Sequence, residues 1–304
     1  MPVRVRVPAS SANLGPGYDA FGLALDLHNE FEGELADDWY VEVSGEGTGR
    51  LSSGPDNQVA QAASRAFREA GCPARCASIV CRNHIPLGQG LGSSSAAIVG
   101  GLMLGGALAG LELGRERLFE LAAEMEGHAD NVAAALSGGF AVSVSDGEAF
   151  RSVHVNPAPG LAAVIVLREH PLATADARRI MPATVPHRDA ADNAGHAALA
   201  ALGIALGDRD ALALGLRDSI HEPYRETLVQ DLLPVREALV DAGVTGAALS
   251  GAGPAIIGLV QGCDDARALA HAAAIASAVR PMLLGIGRGE VLALAVDRDG
   301  ARLA

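Results

Sequence analysis

The chain opens on strict alternation. In VRVRVP, Val3 to Pro8, apolar and polar positions trade places residue by residue, the period of a strand with one buried face, and WYVEVSGEG (39–47) and RCASIVCRN (75–83) have the same look. From Ala96 to Leu111 the pattern changes to a run that is apolar on every side, bounded by serines and by Glu112. At about 16 residues it is shorter than the ~20 needed to cross a bilayer. It predicts a buried helix whose G-x-x-x-G spacings let neighbouring backbones approach closely. RERLFELAAEMEG (115–127) reads as an amphipathic helix stopped by Gly127, and DNVAAAL (130–136) restarts a helix with Asp130 at a cap-like position. GGFAVSVSDG and AFRSVHVNPAPG predict paired strands near the middle of the chain.

A second α/β half follows. It contains a strand LAAVIVL, helix-rich stretches from Asp189 to Gly243, strands GAALSG and AIIGLV, a helix DDARALAHAAAIASAV and a strand EVLALAV. The boundary is placed at Asn156, within NPAPG, giving halves of residues 1–156 and 157–304. No internal repeat or low-complexity segment stands out.

Composition narrows the chemistry. The 304 residues are 49% hydrophobic but only 3% aromatic, so the core must be built from Ala, Val and Leu. With 23 basic against 36 acidic side chains the formal charge is -13, which argues against nucleic acid or an anionic membrane as partner. Any anionic ligand has to be captured locally. The sequence has no lysine, so a Walker-A lysine, a Schiff-base lysine and a pyridoxal phosphate anchor are all excluded. The 4 cysteines lack paired C-x-x-C spacing and read as thiols in a reducing compartment; with no apolar signal region at the N-terminus, the expected location is cytoplasmic.

The stretch with most chemical promise is IPLGQGLGSSSAAIVGG, Ile85 to Gly101. Gly88, Gly90 and Gly92 keep side chains clear so that backbone N–H groups can meet anionic oxygens, and Ser93, Ser94 and Ser95 begin the following helix. It is not a P-loop, which wants Lys before Ser or Thr, nor a dinucleotide fingerprint, whose third glycine position is Ser93 here. A helix N-terminus favours one negative charge by only ~0.3–2 kcal/mol, too little for a triphosphate. A divalent cation with hard oxygen ligands, a loop hydroxyl and one carboxylate among them, is therefore expected.

Four stretches, PASSANLGPGYDAFGLAL, PLGQGLGSSSAA, EGHADNVAAALSGG and LSGAGPAIIGL, resemble in order and approximate spacing the motifs of the GHMP small-molecule kinases. The first, with TADARRIMP and HEPYR, looks specifically like the homoserine kinases within that superfamily. The resemblance implies an α+β, two-domain GHMP kinase fold, with an N-terminal ATP-binding domain like ribosomal protein S5 domain 2 and a C-terminal ferredoxin-like α/β domain. It implies ATP and Mg²⁺ as cofactors, L-homoserine as substrate and a homodimer. Position by position, it implies that Pro86, Leu87, Gly88, Gln89, Gly90, Leu91, Gly92, Ser93, Ser94 and Ser95 wrap the nucleotide phosphates and that Asn57 contacts adenine. Ser94, or its neighbour Ser93, and Glu126 would hold the metal, with Glu124 as the alternative carboxylate.

For the substrate the resemblance points to Asn13, Asp19, Thr174, Arg178 and Arg225, with Asp130, Asn131 and Arg178 in the catalytic set. An amino-acid zwitterion needs one anionic and one cationic partner: Asp19 suits the ammonium, Arg178 and Arg225 the carboxylate. His128 and His221 read as structural hydrogen-bonders. Transferring the alcohol proton to a carboxylate before attack would cost roughly 16 kcal/mol, from pKa values of ~15.7 and ~3.9. That is about the whole barrier compatible with a turnover near ~10 per second. Asp130 and Asn131 are therefore expected to orient the hydroxyl, with any proton moving late, in a loose phosphoryl transfer.

Overall fold

The structure is a computed structural model and describes residues 2–283 and 290–304. The alternating N-terminal run forms β1 (Val3–Asn13), which pairs antiparallel with a 20-residue β2 (Gly17–Ala36). The register slips twice, between Pro8 and Ala9 and between Ala12 and Asn13. The second slip leaves Tyr18 to Phe21 without partners on β1 between the Asn13–Gly17 and Ala12–Gly22 pairs, a bulge that frees Tyr18 to Ala20 while Phe21 still pairs with Val142 on the strand's other edge. That is why no strand periodicity is visible through GPGYDAFG.

β3 (Tyr40–Gly45), α1 (Gln58–Glu69) and β4 (Cys76–Asn83) form a parallel crossover unit. The glycine loop then leads into α2 (Ser93–Ala109), followed by α3 (Arg115–Glu126), α4 (Asp130–Ser137) and a hairpin of β5 (Phe140–Ser145) with β6 (Phe150–Val155). The all-round apolar character of α2 reflects burial on opposite sides. Gly100 faces the Phe31 ring, whereas Gly101 and Gly105 lie on α1, where a Cβ at Gly105 would come within 2.6 Å of the Ala63 carbonyl oxygen. α3 ends at Gly127 in the left-handed region, φ 82°, as the sequence predicts.

Beyond β6 the chain changes sheet. β7 (Leu161–Val166) is followed by α5 (Thr174–Arg179), α6 (His187–Leu206), α7 (Arg209–Gly215), α8 (Glu222–Arg225) and α9 (Leu232–Asp241). Then come β8 (Gly246–Leu249), β9 (Ile256–Gln261), α10 (Asp265–Leu283), β10 (Val291–Ala295) and β11 (Arg302–Leu303). Among the described residues the first sheet runs β11-β1-β2-β4-β3, with β5 paired to β2 and β6 to β5, and the second, all antiparallel, runs β10-β7-β9-β8.

The expected second half needs a correction at its far end. Val296 bridges to Leu25, and β11 pairs with β1 through Val5–Leu303 and Arg6–Arg302, so the tail returns to the first sheet. The halves also share a core. Ala163 and Ile165 of β7 and Ile257 and Leu259 of β9 belong to the cluster containing Val7, Leu23 and Leu91, while Val164, Val166, Ile256 and Val260 face α9 and α10. Strands buried on both faces explain why LAAVIVL shows a continuous apolar run rather than alternation. No described helix is long and apolar enough to cross a membrane.

Candidate active site

The glycine loop, the start of α2, the end of α3, the start of α4, the β2 bulge, α5, α8 and the turn after β8 line one cleft of about 450 Å³. Gly88, Gly90 and Gly92 sit at φ 67°, 72° and 69°, which L side chains rarely adopt. At Gly90 and Gly92 a side chain would also collide with the Ser250 carbonyl and the Ser10 hydroxyl. The loop carbonyls are turned into the protein: Leu172 N–H donates to Gly88 O at 3.0 Å, Ser250 Oγ to Gly90 O at 2.8 Å and Ser10 N–H to Leu91 O at 3.1 Å. Since Gly92 supplies no side-chain cap, the first-turn N–H groups of α2 remain open to a ligand.

Directly on that helix end sits Glu126. Ser94 Oγ donates to its Oε2 at 2.8 Å and Ser95 Oγ to its Oε1 at 2.9 Å, while Gln58 Nε2 donates to Ser94 Oγ at 2.6 Å. Glu124 lies elsewhere, half-exposed and paired with Arg65 at 3.1 Å. The left-handed Gly127 then turns the chain so that His128 Nδ1 donates to Asp130 Oδ1 at 2.8 Å, and Asn131 N–H donates to the same oxygen at 2.7 Å. Asp130 is the first residue of α4 rather than the residue before it, and its carboxylate takes up the N–H of the next residue in the first turn. Asn131 Oδ1 accepts from Ser10 Oγ at 2.9 Å.

The third wall carries opposite charges. Asn13, at φ 67°, donates from Nδ2 to Gly251 O at 2.6 Å and accepts the Asp19 N–H at 2.9 Å, which fixes Asp19 at φ 55°. Arg178 reaches over from α5 and donates from Nη1 and Nη2 to the two Asp19 carboxylate oxygens at 2.9 and 2.8 Å. Arg225 is 2% exposed, with Nη1 donating to Gly251 O and to His221 Nδ1, both at 3.1 Å, its guanidinium 5.3 Å from the Tyr18 ring centre. Thr174, the first residue of α5, also lines the cleft.

Family models for the GHMP kinases N terminal domain and the GHMP kinases C terminal match residues 57–139 and 185–278. A homoserine kinase of Synechococcus sp. (strain RCC307) is 40% identical over 275 residues, spanning 89% of this chain and 87% of the relative. The chain belongs to the homoserine kinases of the GHMP family. The crystal structure of homoserine kinase from Cytophaga hutchinsonii superposes with TM-score 0.88 at 28% identity, over 100% of this chain and 97% of the other. A putative homoserine kinase from Listeria monocytogenes gives TM-score 0.77 at 30% identity, over 99% of each chain.

Within this GHMP kinase, two loop residues expected on the phosphates stand outside the cleft lining. Ser95 is fully buried with its hydroxyl on Glu126, and Gln89 reads the second half instead, donating Nε2–H to Arg168 O at 2.8 Å and accepting Arg168 N–H at 2.9 Å. Asn57 borders the cleft, yet its amide is engaged: Oδ1 caps α1 through Val59 N–H at 3.0 Å and Nδ2 donates to Ser52 O at 2.7 Å. Sequence reasoning missed Gln58, the neighbour of Asn57, and Tyr18, which lies inside a quoted motif beside Asp19. It also missed the buried support under Arg225. Glu222 accepts Leu249 N–H at 2.6 Å and pairs with Arg236 at 2.7 Å, and Asp218 Oδ2 accepts the N–H groups of Ile220, His221 and Glu222.

Several of these groups titrate away from their ordinary values. Burial pulls the His128 pKa down, but the Asp130 hydrogen bond and the charges of Asp130 and Glu126 outweigh it, so the net shift is upward. The Asp19 hydrogen bond holds Arg178 above the usual guanidinium value, whereas burial lowers Arg225. Burial raises Glu222 to about 7 and lowers His221 to about 4. His221 is neutral with its proton on Nε2, because Nδ1 must accept from Arg225 while Nε2 donates to Gly15 O at 2.8 Å.

Proposed function

We infer that the chain catalyses ATP-dependent phosphorylation of the side-chain hydroxyl of L-homoserine, giving O-phospho-L-homoserine and ADP. The observation that carries this reading is the Ser94–Glu126–Ser95 constellation on an uncapped helix start, in one cleft with Asp130, Asn131 and a set of opposed carboxylate and guanidinium groups. A ligand-binding member of the fold without chemistry would have no need of a carboxylate buried at an anion-attracting helix end.

The donor set fits Mg²⁺. Glu126 and Ser94 offer hard oxygens, and Gln58 donating to Ser94 Oγ turns that hydroxyl's own proton toward Glu126, leaving an oxygen lone pair to share with an ion. When bound, the ion neutralises charge on the triphosphate, which neither the helix end nor a lysine provides. The chain's own residues do the rest. The loop amides and the first turn of α2 hold phosphate oxygens, with the glycine loop's carbonyls kept out of the way.

Asp130 orients rather than deprotonates. One of its oxygens is committed to Asn131 N–H and His128, leaving the other for the substrate hydroxyl, and Asn131 is held by Ser10 with its Nδ2 free to donate to the same hydroxyl or to the incoming phosphoryl group. Arg225, packed on Tyr18 and pinned to Gly251, is placed to take the substrate carboxylate. Location in the cytoplasm and assembly as a homodimer come with this reading; light scattering on the purified chain checks the second.

The test is a coupled ADP-release assay with homoserine, mevalonate, galactose and serine. Homoserine should give the highest kcat/KM, and turnover should vanish with chelator and return with Mg²⁺. Release of ADP with mevalonate but none with homoserine would overturn the substrate assignment.

A further inference from the structure

Across the cleft, Asp19 and Arg178 neutralise each other. The pair is bidentate at 2.9 and 2.8 Å, each side chain 39% exposed, and it links the β2 bulge of the first half to α5 of the second. Neither partner is adrift. Asp19 is fixed by Asn13 Oδ1 on its backbone N–H and by its left-handed backbone, and Arg178 lies on a six-residue helix whose preceding loop is tied to the phosphate loop through Leu172 and Gly88. Arg225, the other guanidinium of the cleft, has no carboxylate partner among the described residues, and its buried Nε makes no hydrogen bond.

We propose that the Asp19–Arg178 ion pair is a specificity latch, which a ligand opens without loss only by carrying an ammonium and a carboxylate on one carbon. This deepens the homoserine reading and rests on it. The argument is one of charge matching. The two groups are in direct contact at 2.8–2.9 Å, so a ligand has to part them, and an α-amino acid that does so exchanges one ion pair for two, ammonium to Asp19 and carboxylate to Arg178 and Arg225. A ligand bearing a carboxylate alone can meet Arg225 but gains Arg178 only by breaking the pair and stranding Asp19. One bearing an ammonium alone must strand Arg178. Selection therefore comes as much from the charge left unmatched as from the ion pair that forms.

The experiment uses two truncated forms of homoserine as probes, 4-hydroxybutyrate, which lacks the ammonium, and 3-aminopropan-1-ol, which lacks the carboxylate. Their dissociation constants are measured calorimetrically on the full chain. Releasing Arg178 in Asp19→Asn should tighten 4-hydroxybutyrate about threefold to fivefold, the worth of a half-exposed bidentate pair. Releasing Asp19 in Arg178→Gln should tighten 3-aminopropan-1-ol by a similar factor. Both variants should weaken homoserine.

Asp130→Asn is the control for the general field, since Asp130 acts on Arg178 through space without pairing to it, and its effect on the hydroxyl that both probes carry is removed by comparing the ratio of their dissociation constants. If Asp130→Asn tightens 4-hydroxybutyrate as much as Asp19→Asn does, or if neither latch variant tightens its matching probe, the latch is overturned. The two variants are independent, so poor folding of one leaves the other to decide. Homoserine-dependent ADP release by the unaltered chain is scored separately: its absence would remove the homoserine reading, while probe tightening would still establish the latch for another zwitterion.

Discussion

Glu126 and Glu124 are two positions apart on one helix, and the sequence left both as candidates for the metal carboxylate. The fold sends them to opposite surroundings: Glu126 accepts two serine hydroxyls at the helix end, and Glu124 meets Arg65 on the outside. Replacing Glu126 by Gln should lower kcat/KM for Mg-ATP by roughly 10²–10³, on the scale of losing one preorganised electrostatic contact in an active site. Glu124→Gln should stay within about twofold, because an exposed ion pair contributes at most ~1 kcal/mol. Equal losses in a steady-state assay would show that the assignment to Glu126 is mistaken.

His221 and Glu222 make a titration argument at the same scale. The neutral state of His221 is enforced by Arg225 and Gly15, so between its ordinary value of 6.5 and its folded value of about 4 only the unfolded chain takes up that proton. Stability from this residue is therefore complete above 6.5 and is lost as pH falls. Glu222 acts in the opposite sense: between its ordinary 4.5 and its folded value of about 7 the native state holds the extra proton, so stability falls as pH rises. The two nearly cancel between pH 4.5 and 6.5. In His221→Gln the slope of unfolding free energy against pH over that window should become more negative by about 1.36 kcal/mol per unit. Urea titrations at several pH values measure it.

At the scale of elements, helices α2, α3 and α10 and strands β5, β6, β7, β9 and β10 were legible because each carries its period within its own span. α1 was not read from the sequence, though its N-cap Asn57 had been noted, because a ligand role and a cap draw on the same residue type. β2 was obscured by its bulge, which interrupts the period of two where the motif residues are turned outward. The glycine spacing in α2 did carry its meaning, close approach to α1. Gly105→Val should destabilise the protein by about 1–3 kcal/mol through overpacking. Activity should fall with it, since α1 begins at Gln58 and α2 at the serines. Thermal melting with a parallel activity assay separates this from a neutral change.

For the whole molecule, the fold has the two domains that the sequence predicts, and the packing joins them. β7 and β9 contribute to the same cluster as β1 and β2, and the tail returns so that Asp297 Oδ2 accepts His28 Nε2–H at 2.7 Å. Arg6 donates to the other ring nitrogen of His28 at 2.9 Å, so strand, histidine and tail are locked in one network. Unfolding should accordingly be a single cooperative transition, with calorimetric and van't Hoff enthalpies in agreement. Asp297→Ala, which strands His28 and the N–H groups of Asp299 and Gly300, should lower stability by roughly 3 kcal/mol. Two separated transitions in the unaltered chain would argue for independent halves.

What the sequence determined by itself was the chemistry available: no lysine, a glycine–serine turn into a helix, and acidic and arginine residues inside motifs whose order identifies the family. Such information survives in one dimension because it depends on residue type and short spacing. What only the tertiary structure decided was which charge meets which. Asp19 and Arg178, 159 residues apart, read as separate holders for the two ends of a ligand, and the folded chain pairs them with each other. Coulombic partnership depends on distance in space, and a chain that crosses between two sheets and then returns leaves no trace of those distances in its local periodicity.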